Sequence, residues 1–257
     1  MFIDTHCHLD DEKFNNVEEV VKNIRKEKIS YAINMGCNMQ SSLRGKELAE
    51  KYNEIYFACG FHPCDADKLD LDSIDLLSNL SKHPKCVAIG EIGLDYHWED
   101  YPNKEIQGKT FVSQLDLAKS LKLPISIHCR DCTEVMLKTL KENKHKLIYG
   151  GVMHCFSGSV ETSKELLKLG LYISFAGTLT FKNALNLQAV CKEIPLDRIL
   201  TETDSPYLAP HPFRGTVNEP KNIPYVLTKI AEIKGLDVEN TANAVMINAK
   251  TIFNKLI

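Results

Sequence analysis

The chain has no apolar run long enough to cross a bilayer, and its N-terminus lacks the charged leader and apolar stretch of a secretory signal. These absences point to a cytoplasmic protein with no membrane partner. Charge imbalance is also nearly absent: 31 Lys and Arg stand against 34 Asp and Glu, a formal net charge of −3. Bulk electrostatic capture of nucleic acid is thereby excluded, so a phosphate-bearing substrate has to be held by a local patch or by metal ions. No Gly-, Ser- or Pro-rich linker, low-complexity tract or repeat divides the 257 residues, and one domain over 1–257 is expected. The Cys129-Arg130-Asp131-Cys132 motif is formally a C-x-x-C, compatible with a redox or a zinc role, but no second cysteine pair exists to complete a zinc site. The nine cysteines are odd in number and scattered through apolar segments, as buried free thiols of a reducing compartment would be.

What the chain does have is alternation. Apolar, β-branched runs occur at Phe2–Cys7, Tyr31–Met35, Ile55–Phe61, Cys86–Ile92, Leu123–His128, Leu147–His154, Leu171–Ala176 and Arg198–Thr203. Their near-continuous apolar character is that of parallel strands covered on both faces. Between them lie amphipathic stretches. Val17, Val20, Val21 and Ile24 share one helix face, as do Phe111, Leu115 and Ala118, and Val226, Ile230 and Ile233. Leu123-Pro124 divides a helix from the next strand. Eight strand–helix units of this size predict an α/β protein, a (β/α)8 TIM barrel, with a doubly wound open sheet as the alternative. The proline-rich segment Ser205–Pro220 follows the eighth run and suits a substrate-binding loop.

A barrel builds its site at the C-terminal ends of its strands. His6 and His8 lie there and, two apart, point to one face. A His-x-His pair also arises by chance, but other ligand types collect at the same strand ends: His62 after the third run, Glu91 in the fourth, His128 and His154 ending the fifth and sixth, and Asp204 after the eighth. This agreement predicts a metal centre. His83, His145 and His211 sit in polar or proline-rich stretches and are expected to be solvated; for His97, just after Asp95, a role bordering the site is the alternative and a functionless surface position the preferred expectation. Strand alternation should turn Cys7, Cys129 and Cys155 away from the neighbouring ligands.

In order along the chain stand Asp4-Thr5-His6-Cys7-His8, Gly60-Phe61-His62-Pro63, Ile89-Gly90-Glu91-Ile92-Gly93-Leu94-Asp95-Tyr96, His128-Cys129-Arg130-Asp131, Met153-His154-Cys155-Phe156-Ser157-Gly158 and Glu202-Thr203-Asp204-Ser205-Pro206. Pro212-Phe213-Arg214-Gly215 and Asn218-Glu219-Pro220 follow. This ordered set resembles the TatD family of metal-dependent deoxyribonucleases, in the wider amidohydrolase-like barrel group. The resemblance implies two divalent ions (Mg²⁺, Mn²⁺ or Zn²⁺), one on His6, His8 and Asp204, the other on His128 and His154, with Glu91 bridging both. It further implies Asp204 as general base for the attacking water, and His62, Arg130 and Arg214 as phosphate contacts. Glu202, two residues before Asp204, is read as a substrate-contacting carboxylate or as one lying behind the ligands, and Asp4 as a buried carboxylate orienting a ligand or satisfying the core. An ion pair with Asp131 is the other expectation for Arg130. Lys182 and Lys221 would add a weak basic rim.

The activity implied is hydrolysis of DNA phosphodiesters, in the form of a 3′-to-5′ exonuclease on single-stranded ends. RNA stays open, because nothing in the motifs reads a 2′-hydroxyl. The alternatives are a metal-dependent esterase or amidohydrolase, such as a D-aminoacyl-tRNA deacylase, and a metal-stabilised binding protein without catalysis. A monomer is compatible with the sequence, which holds no marker of oligomeric state.

Overall fold

The structure, a computed structural model, describes residues 1–257. Eight parallel strands lie in one sheet in sequence order: β1 Phe2–Cys7, β2 Ile29–Met35, β3 Ile55–Cys59, β4 Cys86–Asp95, β5 Ile125–Arg130, β6 Gly151–Met153, β7 Leu171–Phe175 and β8 Ile199–Thr201. The helices between and after them are α1 Val17–Lys26, α2 Met39–Lys51, α3 Leu71–Ser81, α4 Lys104–Leu121, α5 Thr133–Glu142, α6 Val160–Lys168, α7 Leu185–Glu193, α8 Ile223–Lys234 and α9 Val238–Ile252. A doubly wound sheet would reverse its strand order at a switch point. This sheet never does, and β1 returns to β8. The fold is the (β/α)8 barrel.

Local chemistry sets the helix starts. Asn16, Asn38, Asp70, Asn103, Ser159 and Asp237 each accept a backbone N–H of the first turn, an interaction worth about 1 kcal/mol at each helix. The α4 helix ends at Lys122 in the left-handed region, immediately before Leu123-Pro124. Buried apolar side chains, including Val20, Val21, Ile24, Phe111, Leu115, Ala118, Val226 and Ile230, join a single continuous core. Val17 and Ile233 pack at its margin.

Several strand limits differ from the apolar runs. Leu147–Gly150 is a turn closed by the Gly150 N–H on Leu147 O, so β6 starts only at Gly151. The β4 strand runs on to Asp95, because its last residues keep pairing with His128, Cys129 and Arg130 of β5. The β3 strand stops at Cys59.

The β8–β1 seam is closed largely by side chains. Thr5 Oγ1 donates to Thr201 O at 3.0 Å, and Thr201 Oγ1 donates to Ile3 O at 3.2 Å. Buried Asp4 accepts from Thr203 N at 2.9 Å, Thr203 Oγ1 at 2.5 Å and His6 N at 3.2 Å. Main-chain bonds then continue upward, from Asp204 N to His6 O and from His8 N to Ser205 O. Asp4 thus orients backbone, and through it sets His6 against Asp204.

Candidate metal centre

The carboxylate at the middle of the site, Glu91, is delivered by an irregularity in β4. Along the β4–β5 ladder Ile89 pairs with Ile125 and Ile92 with Ile127, so β4 carries one residue more than β5 between them. Such a bulge re-aims a side chain, and Glu91 N is held by Gly36 O at 2.7 Å. Two residues on, Gly93 adopts φ +150°, and a Cβ there would stand 2.0 Å from the carbonyl oxygen of His128. Only glycine allows β4 to approach the His128 backbone this closely.

Around the two Glu91 oxygens lie two groups of ligand atoms. On the Oε2 side, His6 Nε2 is 3.4 Å and His8 Nε2 3.6 Å from that oxygen. The two imidazole nitrogens are 3.2 Å apart, and Asp204 Oδ1 is 3.7 and 3.5 Å from them. Ligand atoms held tetrahedrally at about 2.0–2.1 Å from one ion are separated by roughly 3.3–3.4 Å, so the His6, His8 and Asp204 atoms have the spacing of ligands to a single ion, with Glu91 Oε2 beside both imidazoles. On the Oε1 side, His128 Nδ1 is 2.9 Å and His154 Nε2 2.8 Å away, and these nitrogens are 3.2 Å apart. The His6 and His154 rings stack with centroids 4.0 Å apart, joining the two halves. Buried His6 Nδ1, His154 Nδ1 and Glu202 Oε2 have no hydrogen-bond partner. Nitrogen and carboxylate donors in this arrangement suit divalent transition metals, with the shared carboxylate able to bridge two ions because its oxygens diverge.

The electrostatics follow from packing. Burial pushes the Glu91 carboxyl up, but His154, His62, His6 and a hydrogen bond from His128 outweigh it and hold the group well below the usual carboxylate range. Asp204 is likewise held down, against burial, by the His8 hydrogen bond and the nearby histidines. Burial drives His62 down to about 3. Its Nδ1 accepts the Cys64 N–H at 3.2 Å, so the neutral ring carries its proton on Nε2, 3.7 Å from Glu91 Oε1. His62 therefore offers a hydrogen-bond donor to the site.

Behind the ligands, Asp95 Oδ2 is 3.0 Å from His128 Nε2, and Glu202 Oε1 is 3.5 Å from His154 Nδ1. Glu202 is fully buried, accepts Cys155 N at 2.5 Å and lies close to both His6 and His154. Arg130 and Arg214 are exposed at the strand-end face, over the rings of Trp98 and Phe181. Arg130 does not pair with Asp131, which bonds His97 at 2.7 Å instead. Lys182 is exposed and Lys221 pairs with Glu219. His145 and His211 are exposed, whereas His83 is half-buried against Phe57, 3.7 Å from Glu50.

Cys7 turns away as expected, its thiol on Ile33 O. Cys155 is not on a strand; it occupies a left-handed turn, and burial beside Asp204, Glu202 and Glu91 pushes its thiol well up, against a thiolate ligand. Besides Asp95 behind His128, one more residue escaped the sequence reading. Cys37, just past β2, places Sγ 3.8 Å from His8 Nδ1 and 3.7 Å from Glu91 Oε2. Its position at a strand end was the available signal.

Fold and donor set together define a metal-dependent hydrolase on a (β/α)8 barrel. The sequence model of the TatD related DNase family matches residues 3–254, and the chain belongs to this family. It is 45% identical over 254 residues to the metal-dependent hydrolase YabD of Bacillus subtilis (strain 168), covering 98% of this chain and 99% of YabD. The crystal structure of YjjV, a TatD homologue from Escherichia coli K12, superposes with a TM-score of 0.92 at 34% identity, covering 98% of both chains. A hydrolase TatD family protein from Entamoeba histolytica superposes at 0.87 with 25% identity, covering 98% of this chain and 97% of the other. No helix is long and apolar enough to cross a membrane.

Proposed function

We propose that the chain hydrolyses phosphodiester bonds of DNA, trimming single-stranded 3′ ends. The observation that carries this reading is a carboxylate whose two oxygens face separate histidine pairs, with two unpaired arginines exposed on the same strand-end face. His6, His8 and Asp204 would hold one divalent ion, His128 and His154 the other, and Glu91 both. When bound, the ions would supply Lewis-acid stabilisation of the attacking and leaving oxygens of an in-line phosphoryl displacement.

The side chains do the rest. Asp204, held ionised, accepts the proton of the attacking water through its second oxygen. His62 donates its Nε2–H to a phosphoryl oxygen. Arg130 and Arg214 grip neighbouring phosphates, where a planar guanidinium matches two oxygens at once. The local pair of cations replaces the bulk positive charge that the chain lacks.

The test is hydrolysis of a 5′-labelled single-stranded DNA by the wild type and Glu91→Ala, stripped of metal and restored with Mg²⁺, Mn²⁺ or Zn²⁺ singly. A metal-dependent ladder shortening from the 3′ end, abolished by the substitution, supports the reading and names the working ion. A folded, metal-loaded protein that leaves DNA intact overturns it. Turnover of carboxylic esters or aminoacyl-tRNA would then become the function of the same centre.

A further inference from the structure

Cys129 and Cys132 hold their Sγ atoms 3.3 Å apart at the C-terminal end of β5. Asp131 between them has φ +53°, and this left-handed residue folds Cys132 back to begin α5. Both sulfurs are thiols here. A disulfide bond measures about 2.0 Å, so closure asks for little more than 1 Å of approach. Cys129 is half-buried and lines a small cleft with Thr133, Met136, His154 and Phe156. Cys132 lies beneath it with its thiol on Leu94 O. The contrast within the chain is Cys59 and Cys86, 3.7 Å apart and both fully buried in the core, where no reagent reaches. The ring that closure would make contains Arg130, whose guanidinium lies 5.3 Å from the ring centre of Trp98, the only tryptophan.

We propose that Cys129 and Cys132 form a redox-active pair that exchanges with a low-molecular-weight disulfide and, on closing, repositions Arg130. The Cys129 thiolate attacks one sulfur of the reagent; that S–S bond breaks and one thiolate departs. The Cys132 sulfur then attacks Cys129 in the mixed disulfide, releasing the second. The two protein protons end on the two released thiols, so the protein loses two electrons and the reagent gains them. None of this depends on which ester the centre cleaves.

The metal-loaded protein is incubated with glutathione disulfide, quenched in acid, alkylated in denaturant and digested. The expected result is a peptide pair joined through Cys129 and Cys132 and reversed by dithiothreitol, with Cys59 and Cys86 alkylated as free thiols. The Trp98 emission should shift in step with closure. Cys132→Ser should stop at the mixed disulfide on Cys129 without that shift. Should the variant fail to fold, the wild-type peptide map decides alone. Free, alkylated Cys129 and Cys132 after oxidation would overturn the pair, and a disulfide that leaves Trp98 emission unchanged would overturn its coupling to Arg130.

Discussion

Asp95 Oδ2 stands 3.0 Å from Nε2 of His128 and thereby leaves Nδ1 of the same ring facing Glu91 Oε1. The carboxylate accepts the Nε2–H, fixing which nitrogen keeps its lone pair. The relationship predicts that Asp95→Ala lowers affinity for the ion on the His128 side by about 10–100-fold, the usual cost of losing such a partner. Asp95→Asn, which keeps an acceptor oxygen, should lose less. Competition against a chelator measures both; equal affinity in the alanine variant would remove the orienting role.

Asp204 is asked to do two things, and they separate by measurement. As general base it should contribute about 10²–10⁴-fold to kcat. Asp204→Asn keeps an oxygen for the ion, so metal content should fall less than turnover does. A loss under about 10-fold with both ions present would assign proton acceptance to another group.

The candidate ligand residues His6, His8, His128, His154 and Asp204 could each be singled out without knowing any partner, because period-two alternation and the strand-end rule act on single residues, whereas Glu91 sits within β4 at a bulge. What remained hidden depends on pairs. The Asp95–His128 contact follows from a β4–β5 register that a bulge has shifted, and hydrophobic pattern carries no signal for a bulge. The seam through Asp4, Thr5, Thr201 and Thr203 is likewise a relation between the two ends of the chain. Leu147–Gly150 reads as strand by composition and is a turn, since apolar character records burial rather than extension.

The two arginines give the substrate class a graded test. A hydrogen bond to a charged group is worth about 1.5–3 kcal/mol, so Arg130→Ala or Arg214→Ala should each lower kcat/KM on DNA by roughly 10–150-fold, chiefly through KM. Arg130→Lys should recover part of this, because an ammonium keeps the charge and loses the paired geometry and the packing on Trp98. Steady-state kinetics on DNA and on an uncharged carboxylic ester give the contrast. Equal losses on both would assign the arginines to structure rather than to phosphate.

Asp4 makes the seam sensitive to pH. Complete burial is the largest influence on its carboxyl and lifts it from 3.8 to about 7, against the bonds from Thr203 and His6 that favour the charged form. The fold therefore prefers the protonated acid, while the unfolded chain ionises near 3.8. The folded state binds the extra proton between these values, so this residue's stabilising contribution is complete below pH 3.8 and is lost as pH rises to about 7. The amide introduced by Asp4→Asn does not titrate; its oxygen can accept the Thr203 and His6 N–H groups and its NH₂ can donate to Thr203 Oγ1. In metal-stripped protein, Asp4→Asn should thus gain stability relative to wild type by a few kcal/mol between about pH 4 and 7 and run parallel to it above. Urea denaturation across that interval checks the sign. A difference that stays constant with pH would show that Asp4 titrates as an ordinary carboxylate and does not couple the β8–β1 seam to protonation.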